Sequence, residues 1–530
     1  MTSKTTSIFP FWSALTIYWL LTGTLLLASV SNTHGSFIYP LDDTYIHMAM
    51  AKHFVRDGIW GVDKSSFSSS TSSPLWTLLI AITYKIFSVN IWSPLLLSLI
   101  SGSLIIYCCY RLLATNTNPL RLFLLLLVIT AFVPLPVLTL TGMEHLLHGL
   151  LTLLLIYLVP AYLSKDSFQF KSYILLITLA NLITATRYEG ILLVFLITLL
   201  FLSRKRFWEG LFFTVSSFVL ITIYGCISLY NGWYFLPNSV LLKGNTLQFT
   251  LEGIIAFLWR MINHFYFSPH VVALLIACLI LYLRFKHQLK ESEKILMALS
   301  VLITFTHLLF AGVGWFFRYE AYIVLILMVV FADVLNKYFD FQRIKINKES
   351  LYDYGAIVFL VFLFLVPLAM RTGLSFSQYP RAVTNIYEQQ YQMGLFLQKY
   401  YQGQCVAAND IGAINYLADI CTVDLYGLAN MEVAKYKFSG SYDEHVIRRL
   451  VLDNKVKVII IYNDWFDGNI PSDWIEVGRW KILNNVVTGG DEISFYAPDI
   501  SSEKSLRKNL IDFSGALPAT IIQSGSYLSP

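Results

Sequence analysis

Charge is what this chain has least of. Asp, Glu, Lys and Arg make up only 13% of its 530 residues, about half the ~25% usual in soluble domains. Hydrophobic residues make up 56%, and the mean hydropathy is +0.60. That shortage excludes an ordinary soluble protein. It implies a polytopic membrane protein with room for one soluble domain of about 150 residues. Cysteine is also sparse. Cys108, Cys109, Cys226 and Cys278 lie in apolar stretches without metal-ligand spacing, which excludes a cysteine-built metal site. Cys405 and Cys421 lie in the more polar C-terminal region, where a disulfide would form in an oxidising compartment. Internal repeats are absent, and the Ser-rich stretch 65–73 is the one biased segment. The net charge of +5 says little as a total, and no nucleic-acid partner is expected.

Long apolar runs are what the chain does have. Windows of about 17–25 residues suited to a bilayer fall near 11–30, 91–110, 121–138, 142–163, 173–187, 190–203, 209–230, 268–284, 295–312, 320–336 and 353–370. They predict about eleven transmembrane helices. The run Phe11 to Val30 exceeds the ~7–15-residue core of a signal peptide, so it reads as a retained first span. With the N-terminus inside, the cytoplasmic loops collect Arg111 and Arg121, Lys165 and Lys171, Arg204 to Arg206, Arg284 to Lys294, then Lys337, Arg343, Lys345 and Lys348. The opposite loops are poor in Lys and Arg, as the positive-inside rule requires. The segment Ser73 to Phe87 is too short and too marked by Lys85 to count as a crossing. It reads as a helix lying on the outer membrane surface.

The windows and loop charges predict a division into residues 1–370, a transmembrane domain, and residues 371–530, an extracytoplasmic α/β domain. In the latter, Cys405–Ala408, Thr422–Leu425 and Lys455–Tyr462 read as strands. A helix at Glu444–Leu452 precedes the third, a pattern that predicts parallel pairing. Beyond residue 500 no clear pattern is visible.

Polar motifs recur at span ends on one predicted face: Asp42-Asp43-Thr44-Tyr45, Gly142-Met143-Glu144, Arg187-Tyr188-Glu189-Gly190 and Arg318-Tyr319-Glu320. Isolated charges at span ends are ordinary interface anchors, but clusters confined to one face suggest a site. On a helix, adjacent residues point about 100° apart, so Asp42 and Asp43 cannot share one proton. One suits a general base. The other suits a helix cap, a metal ligand or a hydrogen-bond acceptor. Arg187, Lys243 and Arg318 are outer-face cations able to hold a phosphate leaving group. The aromatic loop 230–243, with Asn238 and Lys243, carries ordinary interfacial residues that can also stack on sugars. Glu144, His145 and His148 have a spacing compatible with metal binding, although packing of a helix end accounts for them equally well.

Together these motifs resemble the GT-C superfamily of membrane glycosyltransferases, and within it the terminal β-(1→2)-arabinofuranosyltransferase-like branch. The resemblance rests on Asp42-Asp43-Thr44-Tyr45-Ile46, Ser72-Ser73-Pro74-Leu75-Trp76-Thr77, Gly142-Met143-Glu144, Arg187-Tyr188-Glu189-Gly190, Leu236-Pro237-Asn238 with Lys243, Asn409-Asp410-Ile411-Gly412-Ala413 and Asp424-Leu425-Tyr426-Gly427-Leu428. Tyr188 stands where the family has proline. The basic residue that the family carries near Ala49-Met50 is missing, with Lys52 or Arg56 the nearest substitutes.

The resemblance implies transfer of a sugar, a pentofuranose such as arabinose, from a polyprenyl-phosphate donor to a cell-envelope glycan or glycolipid. It places the enzyme in the bacterial inner membrane, acting at the extracytoplasmic face. It implies Asp42 as base with Asp43 second, and Glu144, Arg187, Glu189, Asn238, Lys243 and Arg318 as substrate-binding residues. Some members of the superfamily use a divalent metal, but nothing in this sequence requires one and no metal ligand is assigned. The competing function is a transporter or flippase of lipid-linked sugars. Transporters usually carry internal repeats and charges near span centres, and here the charges stand at span ends.

Overall fold

The computed structural model describes residues 7–115, 117–165, 167–243, 250–339, 348–466 and 468–529; Arg343 and Lys345, read above as part of a cytoplasmic loop, lie outside them. The chain forms two compact units. The first comprises residues up to Leu25, Leu96–Ile223 and Gly244–Ser377; the second comprises Leu26–Leu95, Tyr224–Lys243 and Gln378–Pro530. The second unit thus gathers two stretches that precede residue 370 in the chain.

The first unit is helical. Every apolar window of the sequence holds a helix, or two short ones, and a further helix runs from Leu251 to Phe267. Among the described residues, six helices are long and apolar enough to cross a membrane, or up to eight spans result if two bent pairs count as one each. Helices such as Phe170–Thr186 and Gly190–Ser203 are shorter. The helix Ala321–Tyr338 is buried on all sides from Ala321 to Val334, as expected of a helix that is apolar all round. It packs with His145–Leu163, whose Leu153, Leu155, Ile156 and Val159 are fully buried. Outward-facing residues such as Phe195, Leu199, Ile223 and Leu283 are apolar and exposed, a surface suited to lipid rather than to water.

The second unit is built around a six-stranded sheet. Its strands are β1 (Cys405–Ala408), β2 (Cys421–Asp424), β3 (Val458–Ile461), β4 (Ile475–Lys481), β5 (Glu492–Ala497) and β6 (Ile522–Ser524), in the order β2-β1-β3-β5-β4-β6. The three strands read from the sequence are parallel. Three further strands, which the sequence did not reveal, join antiparallel. Short connections suffice for antiparallel neighbours, whereas parallel ones need a crossover. Side chains alternate between the two faces. Val406, Ala408, Val458 and Ile460 join one core with Phe396, Trp480 and Phe495. Ala407, Ile459 and Ile461 join the other with Val433, Ile447 and Val451. Because helices cover both faces, β1 and β3 read as unbroken apolar runs.

Past residue 500 the structure has order that the sequence reading did not find. A helix spans Ile500–Ser514, capped by the Asp499 carboxylate accepting from the Ser502 amide at 2.7 Å. Leu506, Leu510 and Phe513 form its buried face. Cys405 and Cys421 are register partners in β1 and β2 and form a disulfide with a Cα separation of 4.3 Å.

Candidate active site

Asp42 and Asp43 open the helix Asp42–Asp57, where two acids in the first turn favour the positive end of the helix dipole. Gly58, at φ 72°, terminates it. Of the four apolar residues that the sequence allows to face the membrane from this helix, Tyr45, Met48 and Ala49 are fully buried, whereas Phe54 is exposed. Asp42 is not the cap of its own helix, since Leu41 occupies that position. Its carboxylate instead accepts the Gly412 amide on Oδ2 and the Ala413 amide on Oδ1, both at 2.8 Å. These amides begin the helix Gly412–Leu417. A Cβ at position 412 would stand 2.2 Å from the Asp42 carbonyl oxygen, so only glycine admits this approach.

Lys52 anchors the other end of the same helix pair. Its ammonium donates to the carbonyls of Asn415 and Tyr416, at 2.8 and 3.0 Å, and to Asp419 at 2.9 Å. The residue read as a substitute for the family's missing cation is therefore a buried tie between helices.

A third carboxylate joins the two aspartates. Asp410 accepts from Gln390 Nε2 at 2.8 Å, and the Tyr462 hydroxyl lies at the same distance. That hydroxyl also lies 2.6 Å from Gln389 Oε1 and accepts from Gln390 Nε2 at 2.8 Å. Gln389 and Gln390 sit in a π-helical turn, Tyr387–Tyr391, a local widening often found at functional sites. Burial, and next the charge of Asp410, push the Asp42 carboxyl up to about 7, against the opposing pull of the Gly412 and Ala413 amides. Burial likewise raises Asp410, with Asp43 adding to the effect and Lys243 opposing it. Lys243 Nζ stands 3.4 Å from Asp43 Oδ1. Carboxylates and an ammonium so arranged can exchange a proton near neutral pH and hold a phosphate oxygen.

Asn238 is fully buried. Its amide donates to the Ser69 carbonyl at 2.9 Å, and its side chain donates to the Gly427 carbonyl at 2.8 Å. It links the Ser-rich loop to the Asp424–Ala429 turn. The Asp424 carboxylate shapes that turn by accepting from Tyr426, Gly427 and Ala429.

The remaining sequence-predicted residues belong to the first unit. Arg187 pairs with Glu144 at 2.6 Å and forks onto Glu189 at 2.5 and 3.2 Å. Its guanidinium also lies 5.3 Å from the Tyr319 ring centre, and that of Arg318 lies 5.1 Å from the same ring. Glu144, Arg187, Glu189 and Arg318 are thus brought together around Tyr319. Glu320 pairs with Arg371, at 3.0 Å. Arg371 was not read as a site residue, because it lies inside a long helix, Lys348–Ile386, away from any motif. Asp410, Gln390 and Tyr462 were also missed as site residues. Among the described residues, no group of three or more His, Cys, Asp or Glu side chains is placed to hold a metal ion.

Residues 384–496 match a family model described as "Domain of unknown function (DUF8728)". No curated protein matches the chain in sequence. Two crystal structures of ArnT from Cupriavidus metallidurans are similar along almost the whole chain. The apo form has a TM-score of 0.53 at 11% identity, covering 92% of this chain and 99% of that one. The form bound to undecaprenyl phosphate has a TM-score of 0.50 at 11% identity, covering 91% and 98%. At that identity the likeness establishes the fold alone: the chain has the fold of these ArnT structures, with apolar helices suited to a membrane and a C-terminal α/β domain.

Proposed function

We propose that this protein is a membrane glycosyltransferase, moving a sugar from a polyprenyl-phosphate donor to a cell-envelope glycan or glycolipid at the extracytoplasmic face of the bacterial inner membrane. The observation that carries this reading is the convergence of Asp42, Asp43 and Asp410 beside Lys243. It occurs on a fold shared with a protein crystallised with undecaprenyl phosphate. The motif set around Asp42 supports a pentofuranose such as arabinose as the sugar.

In this reading Asp42 takes the proton of the acceptor hydroxyl. The acceptor oxygen bonds to the sugar C1 as the bond from C1 to the phosphate oxygen breaks, and polyprenyl phosphate leaves. Asp410 tunes Asp42 through its charge. Asp43 accepts a hydrogen bond from substrate, and Lys243 meets phosphate. In the first unit, Arg318 is the candidate cation for lipid phosphate. Glu144, Arg187 and Glu189 form an ion cluster that fixes Tyr319 against it. Asn238 positions the loops it bridges.

The test is sugar transfer by the purified protein from a panel of polyprenyl-phosphate sugars to envelope glycolipid. Transfer from at least one donor, lost in Asp42→Asn, supports the reading. Absence of transfer from every donor, with the lipid bound and translocated instead, would favour a flippase.

A further inference from the structure

A row of aromatic rings leads away from the acid cluster, and the mechanism above does not use it. Tyr462, whose hydroxyl touches Asp410, has its ring centre 5.3 Å from that of Trp465, and Trp465 lies 5.1 Å from Tyr426. Lys437 Nζ closes the row 4.1 Å from the Tyr426 ring centre. Tyr462 is buried, but Trp465 is 40% exposed.

An exposed tryptophan is often a loose surface residue. This one is fixed on several sides. Its indole N–H donates to the Gly489 carbonyl at 3.2 Å. The Gly489-Gly490 backbone approaches both rings closely. A Cβ at 489 would stand 2.3 Å from Trp465 Cζ2, and one at 490 would stand 2.8 Å from Tyr462 Cδ1. Gln389, from the π-helical turn, holds the same loop by donating to the Gly490 carbonyl at 3.1 Å. Paired glycines, an indole hydrogen bond and a neighbouring ring therefore hold one apolar surface open in a fixed orientation. Such a rigid aromatic surface, separated by the Tyr462 ring from the hydrogen-bonding carboxylate of Asp410, suits the C–H face of a sugar ring while the sugar hydroxyls meet polar groups.

We propose that Trp465 is the stacking platform for a sugar ring of the acceptor, beside the carboxylates that activate its hydroxyl. This rests on the glycosyltransferase reading for the word acceptor, but the binding itself does not require turnover. The full-length protein in nanodiscs would be examined by saturation-transfer NMR with methyl β-D-glucopyranoside, methyl α-D-mannopyranoside and methyl α-D-arabinofuranoside. Wild type, Asp42→Asn and Trp465→Phe should saturate the ring C–H protons of at least one glycoside. Trp465→Ala should lower that signal by about fivefold, the loss of a single aromatic contact, while keeping an unchanged melting temperature. No saturation transfer in the wild type, or an unchanged signal in a folded Trp465→Ala variant, would overturn the platform. If the glycoside signals behave as expected while no donor sugar is ever transferred, the sugar site stands and the glycosyltransferase reading falls. If transfer occurs without a Trp465-dependent signal, the platform alone falls.

Discussion

At the scale of single residues, the proposed chemistry depends on how Asp42 is held. Two backbone amides fix its oxygens, yet burial and the neighbouring Asp410 raise its carboxyl to about 7. A base must be deprotonated, so turnover should rise with pH through about 7 and then level off. Asp410→Asn removes the like charge and should move that rise to lower pH, which a pH–rate profile of purified variant and wild type would show. An unshifted rise would mean that Asp410 does not set the ionisation. The stability contribution has the opposite sense. The folded state favours protonated Asp42, so this term is fully present at acid pH and is lost as pH rises through about 7. The Asp42-Asp43 pair was legible because a doubled acid after an apolar span stands out. Asp410 was legible only as part of the Asn409-to-Ala413 motif, and neither it nor Tyr462 as a site residue, because their roles appear only when folding brings both to Gln390.

At the scale of elements, the parallel strands β1 and β2 are tied by the disulfide at their first register pair. Closing a loop of this length stabilises the domain by roughly 3 kcal/mol on the chain-entropy model. Alkylation of the protein without reductant should find both thiols blocked, and the Cys405→Ser/Cys421→Ser variant should unfold at lower temperature. Two freely alkylated thiols would refute the bond. The parallel core strands were readable because continuous apolar runs between turn signals have few alternatives. The antiparallel half was not, because β4 interleaves Glu476 and Arg479 with its buried Val477, Gly478 and Trp480. The Ile500–Ser514 helix was hidden similarly: exposed Ile500 and Ile511 blur the apolar stripe of Leu506, Leu510 and Phe513. The π-helical turn leaves no sequence signal, since one extra residue per turn changes no composition.

At the scale of the whole molecule, every apolar window read from the sequence holds a helix or two short ones. Among the described residues, six helices are long and apolar enough to cross singly, while others are short or bent. Loop charge still predicts which side carries the α/β domain. A periplasm-active reporter fused after Tyr387 should be active, and one fused within the Arg284–Lys294 loop should be silent. The reverse pattern would place the site at the cytoplasmic face and remove the polyprenyl-phosphate argument.

The most direct test of the central claim is the rate of sugar transfer by purified, folded Asp42→Asn against wild type, with the same polyprenyl-phosphate donor and acceptor. The substitution preserves size and one of the two accepting oxygens but cannot take a proton; it gives up one of the two backbone amide bonds, so the comparison is made on folded protein. Turnover should fall by at least about 100-fold, within the range for removal of a general base. Asp42→Asn protein that transfers sugar at the wild-type rate would contradict the account and shift the base to another residue.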